Sequence, residues 1–151
     1  MRIKIEIADD NEEIIIRCHE RDTRILEIER AVENVLKGSG ELVLYSAGAE
    51  FYVLKSDIIF FESEGDKIYA QTENKRYVTS YKLFELEDMM PSYFVRVSKS
   101  TIANVKLVSS MRREMTGNGE ITFKNCDRCA YFSRGYYKKL RHKIDEVRFG
   151  K

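Results

Sequence analysis

Tyr93-Phe94-Val95-Arg96-Val97-Ser98-Lys99-Ser100-Thr101-Ile102-Ala103-Asn104 sets an apolar, β-patterned run on either side of a short polar and cationic turn. Val, Ile, Tyr and Phe favour strands, and Ser-Lys-Ser interrupts them with turn-forming polar residues, so the stretch reads as strand, loop, strand. Its charge setting distinguishes it from an ordinary hairpin. Split at Pro91, the only proline, residues 1–91 carry 12 Lys+Arg against 20 Asp+Glu, net −8; residues 92–151 carry 14 against 5, net +9, which together make the overall +1. A basic C-terminal part in a nearly neutral chain points to a polyanion there, because clustered Lys and Arg attract phosphates and release their counterions. The competing reading is a basic surface that is merely solvated.

The chain has 151 residues and 43% apolar composition, which suits one domain, or one domain with a small appendage, and supplies a real core. No apolar run approaches the roughly 20 residues that span a bilayer. Met1-Arg2-Ile3-Lys4-Ile5-Glu6-Ile7 alternates charge with apolar residues where a signal peptide would have an apolar core. A cytoplasmic protein without membrane insertion is expected. Cys18, Cys126 and Cys129 are an odd number of thiols in a chain of ordinary core size, which fits reduced cysteines better than a disulfide framework.

Two strands are expected at the N-terminus, Arg2–Ile7 by alternation and Glu13–Cys18 by the Ile14-Ile15-Ile16 run. A helix follows, capped by Asp22, with Ile25, Ile28, Val32, Val35 and Leu36 on one face and Gly38 past its end. This β-β-α module, residues 1–45, is too small to be very stable alone and reads as a dimerisation or regulatory element. From Glu41 the pattern is almost wholly β: Leu42–Tyr45, Phe51–Leu54, Ile58–Phe61, Lys67–Gln71 and Arg76–Thr79. A short helix begins at Ser80 with Leu83, Leu86, Met89 and Met90 at helical spacing, and Pro91 stops it. Beyond lie Phe94–Val97, one strand Ile102–Val108 extending toward Glu114, a Thr116-Gly117-Asn118-Gly119 turn, Glu120–Phe123 and Arg128–Phe132. Ser133 reads as the N-cap of a last helix that buries Tyr137, Leu140 and Ile144 and presents Lys138, Lys139, Arg141, His142 and Lys143 outward.

From about Gly48 to Val147 this order of elements resembles the LytTR DNA-binding domain of bacterial transcription regulators. The resemblance is carried by Leu54, Ile58, Ile59, Phe61 and Glu62 in an opening strand and by Leu83 and Leu86 in the short helix. It also rests on the Phe94, Arg96-Val97-Ser98-Lys99-Ser100, Ile102 and Asn104 run, and on Ser133-Arg134 before a basic helix. It implies a mostly β (α+β) fold, an elongated LytTR-type sheet domain with short helices over residues 46–151, preceded by the β-β-α module. It further implies DNA reading by loops, two of them in the major groove with a minor-groove contact between. On this resemblance the first reading loop is Glu64-Gly65-Asp66-Lys67, with Lys67 as the contact. The second is Ser98-Lys99-Ser100, with Lys99 in the place of a base-contacting side chain, and Arg134 matches a third contact.

Lys and Arg donate to guanine O6 and N7 or to phosphate, and Ser100 and backbone amides at a helix start can hold phosphate oxygens. Lys138, with Arg141 and Lys143, is expected to add salt-sensitive, nonspecific attraction. Asn104 is read as a turn-holding residue in preference to an adenine reader. Arg96 is either a phosphate contact or a solvated strand residue. Arg112 and Arg113 either touch flanking phosphates or are exposed hairpin charge.

Cys126-Asp127-Arg128-Cys129 has the spacing of half a zinc site or of a thioredoxin-like redox pair, but the sequence holds no second Cys pair, and His19 and His142 are distant; reduced strand thiols are preferred over both metal binding and a redox switch. Asp9 and Asp10 resemble the acidic pair of a phosphoacceptor receiver, yet too few residues precede the matched region for a doubly wound domain. The expectation is a response-regulator-like protein without a receiver. No phosphate loop or catalytic constellation stands out, so neither enzymatic activity, a cofactor nor a metal is expected. The leading reading is a sequence-specific regulator that binds promoter repeats in double-stranded DNA as a homodimer and recruits or blocks RNA polymerase. A protein-interaction or RNA-binding β module is the alternative, and a thiol-dependent enzyme comes last.

Overall fold

The computed structural model describes residues 3–6, 13–36 and 40–150. In chain order the elements are α1 (Thr23–Leu36), β1 (Glu41–Ser46), β2 (Ala49–Leu54), β3 (Phe60–Glu64), β4 (Lys67–Gln71), β5 (Arg76–Thr79), α2 (Leu83–Met89), β6 (Phe94–Ser98), β7 (Thr101–Asn104), β8 (Val108–Arg113), β9 (Gly119–Phe123), β10 (Cys126–Phe132) and α3 (Arg134–Phe149). One antiparallel sheet runs β2-β1-β5-β4-β3-β7-β6 and a second runs β10-β9-β8. The fold is therefore sheet-rich with short helices, as expected.

The unbroken run Ile58-Ile59-Phe60-Phe61 is buried along its whole length, because β3 has the second sheet on one side and the β6 region on the other. Phe60 stacks on Phe123 with ring centroids 5.4 Å apart, and Phe61 meets Phe94 at 5.9 Å. Leu140 and Ile144 of α3 join the same core. Burying one such aromatic side chain contributes about 1.5–3 kcal/mol, so this four-residue run is a major source of cohesion between the sheets.

Two of the expected N-terminal features differ. Residues 3–6 and 13–18 form no strand, and Ile3, Ile5, Ile14 and Ile15 are exposed. Alternation makes a strand only where another strand accepts its hydrogen bonds, and among the described residues none does so here. Arg2, Ile7, Asp9, Asp10 and Gly38 lie outside the described residues. The helix forms as expected, with Asp22 Oδ1 accepting from the Ile25 amide at 3.0 Å. Ile25 and Leu26 are buried, whereas Val35 and Leu36 are exposed. Arg30 donates to the carbonyls of Glu146 and Val147, which holds α1 on the end of α3. Tyr45 pairs with both Glu50 and Val78, so β1 is part of the large sheet although the 45/46 boundary falls within it.

The β1–β2 turn is tighter than expected: Ala47 and Gly48 alone connect the strands, both at positive φ, as a two-residue hairpin turn demands. The strand expected to run from Ile102 through Val108 breaks instead into β7, a 3-10 turn at Val105–Leu107 and β8, and crosses there from one sheet to the other. Asn104, 1% exposed, makes the corner. Its Oδ1 accepts from the Lys106 amide at 3.0 Å while its Nδ2 donates to the Ile58 carbonyl at 3.0 Å.

Candidate nucleic-acid interface

The β3–β4 hairpin turns at Gly65-Asp66, with Gly65 at φ 63° and Lys67 directly opposite Glu64. Lys67 is exposed. Glu64 is drawn away from it by Arg76, whose guanidinium lies 2.6 Å from the carboxylate and holds that carboxyl below its ordinary range, chiefly through the hydrogen bond and then through charge. Lys67 therefore keeps its positive field facing outward.

Lys99 and Ser100 form the exposed turn between β6 and β7. The Ser63 amide donates to the Ser100 carbonyl at 2.8 Å, which ties this turn to the β3–β4 hairpin. Ser98 faces inward, only 9% exposed, and its Oγ accepts from the Ser100 amide at 3.2 Å and lies 3.3 Å from the Ser100 Oγ. Ser98 thus shapes the turn, while Ser100 is at its surface.

The Ser133 amide donates to the Val97 carbonyl at 3.0 Å and brings the start of α3 beside the β6–β7 turn. Ser133 has N-cap backbone angles, but its side chain makes no cap hydrogen bond. Asn118 in the β8–β9 turn does that work, its Oδ1 accepting from the Arg134 amide at 2.8 Å. The Tyr136 amide is also used, by the Ser133 carbonyl at 2.9 Å, so fewer amides face outward at this helix start than a free N-terminus would offer. The Arg134 side chain passes over Gly117, where a Cβ would come within 2.6 Å of it. Lys138 follows four residues on and shares the same helix face. A groove of about 320 Å³ beside these segments is lined by Ser98, Ser100, Asn118 and Ser133 and also by the carboxylates Glu62 and Glu114.

Some of the cations are engaged and others are not, and Lys82, Lys124 and Lys139 are exposed and without an ion pair among the described residues. Arg96, Arg112, Arg141 and Lys143 are paired with Glu87, Glu120, Asp145 and Glu146 at 2.9, 3.3, 3.1 and 3.4 Å. Arg113 stacks on Tyr137 with its guanidinium 4.2 Å from the ring centre. Lys67, Lys99, Arg134 and Lys138 are exposed and form no ion pair among the described residues. Hydrogen bonds from Ser63 to Ser100 and from Ser133 to Val97 join the segments that carry the first three. Arg141 and Lys143, expected to act with Lys138, each pair with a carboxylate of their own helix.

Asn104 is buried with both ends of its amide engaged, the turn-holding role expected of it. Arg96 is not a freely solvated strand residue: Nε donates to the Ser98 carbonyl at 2.8 Å, and one Nη donates to the Lys99 carbonyl. Alternation along β6 identified its face but carried no sign of these partners. Asn118 was visible only as a turn residue. Cys126 and Cys129 are free thiols on β10. The hydrogen bond from Cys129 to Glu120, followed by burial, pushes that thiol above its ordinary pKa, the opposite of an activated cysteine. Among the described residues no His, Cys, Asp and Glu are grouped as a metal site, and no helix is long and apolar enough to cross a membrane.

The family model of the LytTr DNA-binding domain matches residues 49–145. An uncharacterized HTH-type transcriptional regulator of Staphylococcus aureus strain NCTC 8325 is 28% identical over 146 residues, covering 95% of this chain and 98% of its own. A similarly described regulator of strain MSSA476 is 30% identical over 111 residues, covering 74% and 75%. Among solved structures, a LytTr DNA-binding domain from Bacillus cereus superposes with a TM-score of 0.66 at 21% identity, over 71% of this chain and 98% of that one. The two loops, the short α2 and the basic α3 on a sheet scaffold thus coincide with the region that the family model matches, and this chain belongs to the LytTr DNA-binding domain family.

Proposed function

We propose that the protein is a cytoplasmic transcription regulator that recognises specific double-stranded DNA with the β3–β4 and β6–β7 turns and the start of α3. Lys67, Lys99 and Arg134 meet base edges, Ser100 and Lys138 meet the phosphate backbone, and Ser98 supports Ser100 from within. The observation that carries this reading is that Lys67, Lys99 and Arg134, exposed and without an ion pair among the described residues, stand on segments joined by the Ser63–Ser100 and Ser133–Val97 hydrogen bonds, while Arg96, Arg112 and Arg141 are paired with carboxylates. Relatives described as transcriptional regulators, matched along nearly the whole chain, support the regulatory role. Although those relatives are described as HTH-type, α2 and α3 here are separated by five strands, so loops rather than a helix pair are offered to the groove.

Three base-reading side chains per module are few for a specific site, which favours two copies on repeated half-sites. Residues 1–45, with their exposed isoleucines, are the proposed dimerisation or regulatory module, and the bound dimer recruits or blocks RNA polymerase. Selection of bound duplexes from random DNA tests the proposal. A recovered motif repeated at helical spacing is the expected result; binding without sequence preference, or preference for RNA, rejects it.

A further inference from the structure

Arg96 lies on β6 immediately before an irregularity in its pairing with β7, where the register passes from Arg96↔Ile102 to Ser98↔Thr101. Such a bulge bends the strand and re-aims the residues that follow it, here Ser98, Lys99 and Ser100. The Arg96 guanidinium spans that bend. Nε donates to the Ser98 carbonyl at 2.8 Å, one Nη to the Lys99 carbonyl, and the other Nη pairs with the Glu87 carboxylate of α2 at 2.9 Å. Three partners thus occupy all three nitrogens of a side chain that is only 18% exposed. Lys99 sends its own side chain to solvent from the same turn.

A lysine is a point charge on a flexible stem and discriminates between bases only if its backbone origin is held. We infer that Arg96 is a positioning residue for DNA recognition: by binding both carbonyls of the β6–β7 turn and anchoring them to Glu87 of α2, it sets the direction from which Lys99 meets the base edges. This inference rests on the reading of Lys99 as a base contact. The planar fork is what the role requires, since an ammonium group at the same position cannot reach two carbonyls and a carboxylate in one plane.

A double-mutant cycle tests it, using the duplex recovered by selection and a scrambled duplex, each over a range of salt. Arg96→Ala is expected to lower the ratio of selected to scrambled affinity by about tenfold, within the range of one base contact, while the salt slope stays unchanged. That loss should vanish when Lys99→Ala is already present. Arg96→Lys, which keeps the charge, should fail to restore the ratio. Glu87→Gln, on an exposed helix position that leaves the fold intact, should lower the ratio in the same direction by a smaller factor. The inference is overturned if Arg96→Ala weakens both duplexes alike with a salt slope reduced by about one, the signature of a phosphate contact. It is equally overturned if the losses from Arg96 and Lys99 simply add, or if Glu87→Gln leaves the ratio untouched when Arg96→Ala does not fold. An unchanged ratio for Lys99→Ala alone, or no recovered duplex, is a different failure: it removes the base-reading assignment, and this inference falls with it.

Discussion

Asn104 donates to the carbonyl of Ile58 across 46 positions of sequence, at 3.0 Å and out of contact with water. The same side chain holds the Lys106 amide, so one amide group both closes the β3–β7 edge and turns the chain into the second sheet. Asn104→Ala leaves the buried Ile58 carbonyl and the part-buried Lys106 amide without their side-chain partner and is expected to destabilise the fold by about 1–3 kcal/mol. Asn104→Asp, which cannot donate, should be similarly damaging. Urea unfolding measures both, and a midpoint within error of wild type would contradict the bracing role.

Lys99 and Lys138 should separate by what they change. Lys99→Ala is expected to relax discrimination at one base position by about 1–3 kcal/mol. Lys138→Ala should weaken all sequences alike and reduce the salt dependence by about one unit of slope. Competition binding with single-base variants of the selected duplex distinguishes the two, and equal effects on specific and random DNA would show Lys99 to be a phosphate contact.

Gly119 has no room for a side chain. A Cβ there would stand 2.3 Å from the Arg112 carbonyl and 2.3 Å from the Phe132 ring. Gly119→Ala should destabilise by about 1–3 kcal/mol, because backbone on one side and a buried ring on the other must both move. Gly135→Ala, with open space at its Cβ, is the control and should unfold close to wild type.

The Glu64–Arg76 pair makes a pH prediction. A folded-state carboxyl below its unfolded value binds its proton later on acidification, so its contribution to stability is fully present above the ordinary glutamate value and is lost as pH falls through the lowered one. Carboxyl NMR titration should find Glu64 below its ordinary value of 4.5, and Arg76→Gln should return it there. A Glu64 titration unaffected by loss of Arg76 would refute the pairing in solution.

The N-terminal segment can be removed while α1 stays, and with it Arg30, which donates to the Glu146 and Val147 carbonyls of α3. Deletion of residues 1–20 is expected to weaken self-association and cooperative DNA binding, read by sedimentation and by the shape of the binding isotherm. Full-strength cooperative binding by the shortened chain would exclude these residues as the dimerisation element.

Most strands and both flanking helices were legible because their signals are local. Ile58–Phe61 reads as strand and leads into β3, Asp22 caps α1 as its position suggests, and Pro91 follows α2. The N-terminal strands were misread for the reason that makes strands hard in general. Alternation in residues 3–6 and 13–18 describes a face without naming a partner. The 105–107 break was hidden because Val105, Leu107 and Val108 are apolar on both sides of the corner, and only the buried Asn104 betrays it.

Residue order alone determined the sheet-rich fold, the basic C-terminal part and the turns that carry Lys67, Lys99 and Arg134, since propensity, charge and turn chemistry act over a few residues. Only the tertiary structure decided which cations find partners and which segments stand beside one another. Glu87 reaches Arg96, Asn118 caps α3 and Ser133 meets Val97 only after distant segments have packed, and hydrogen bonds and ion pairs depend on that approach, not on nearness in sequence.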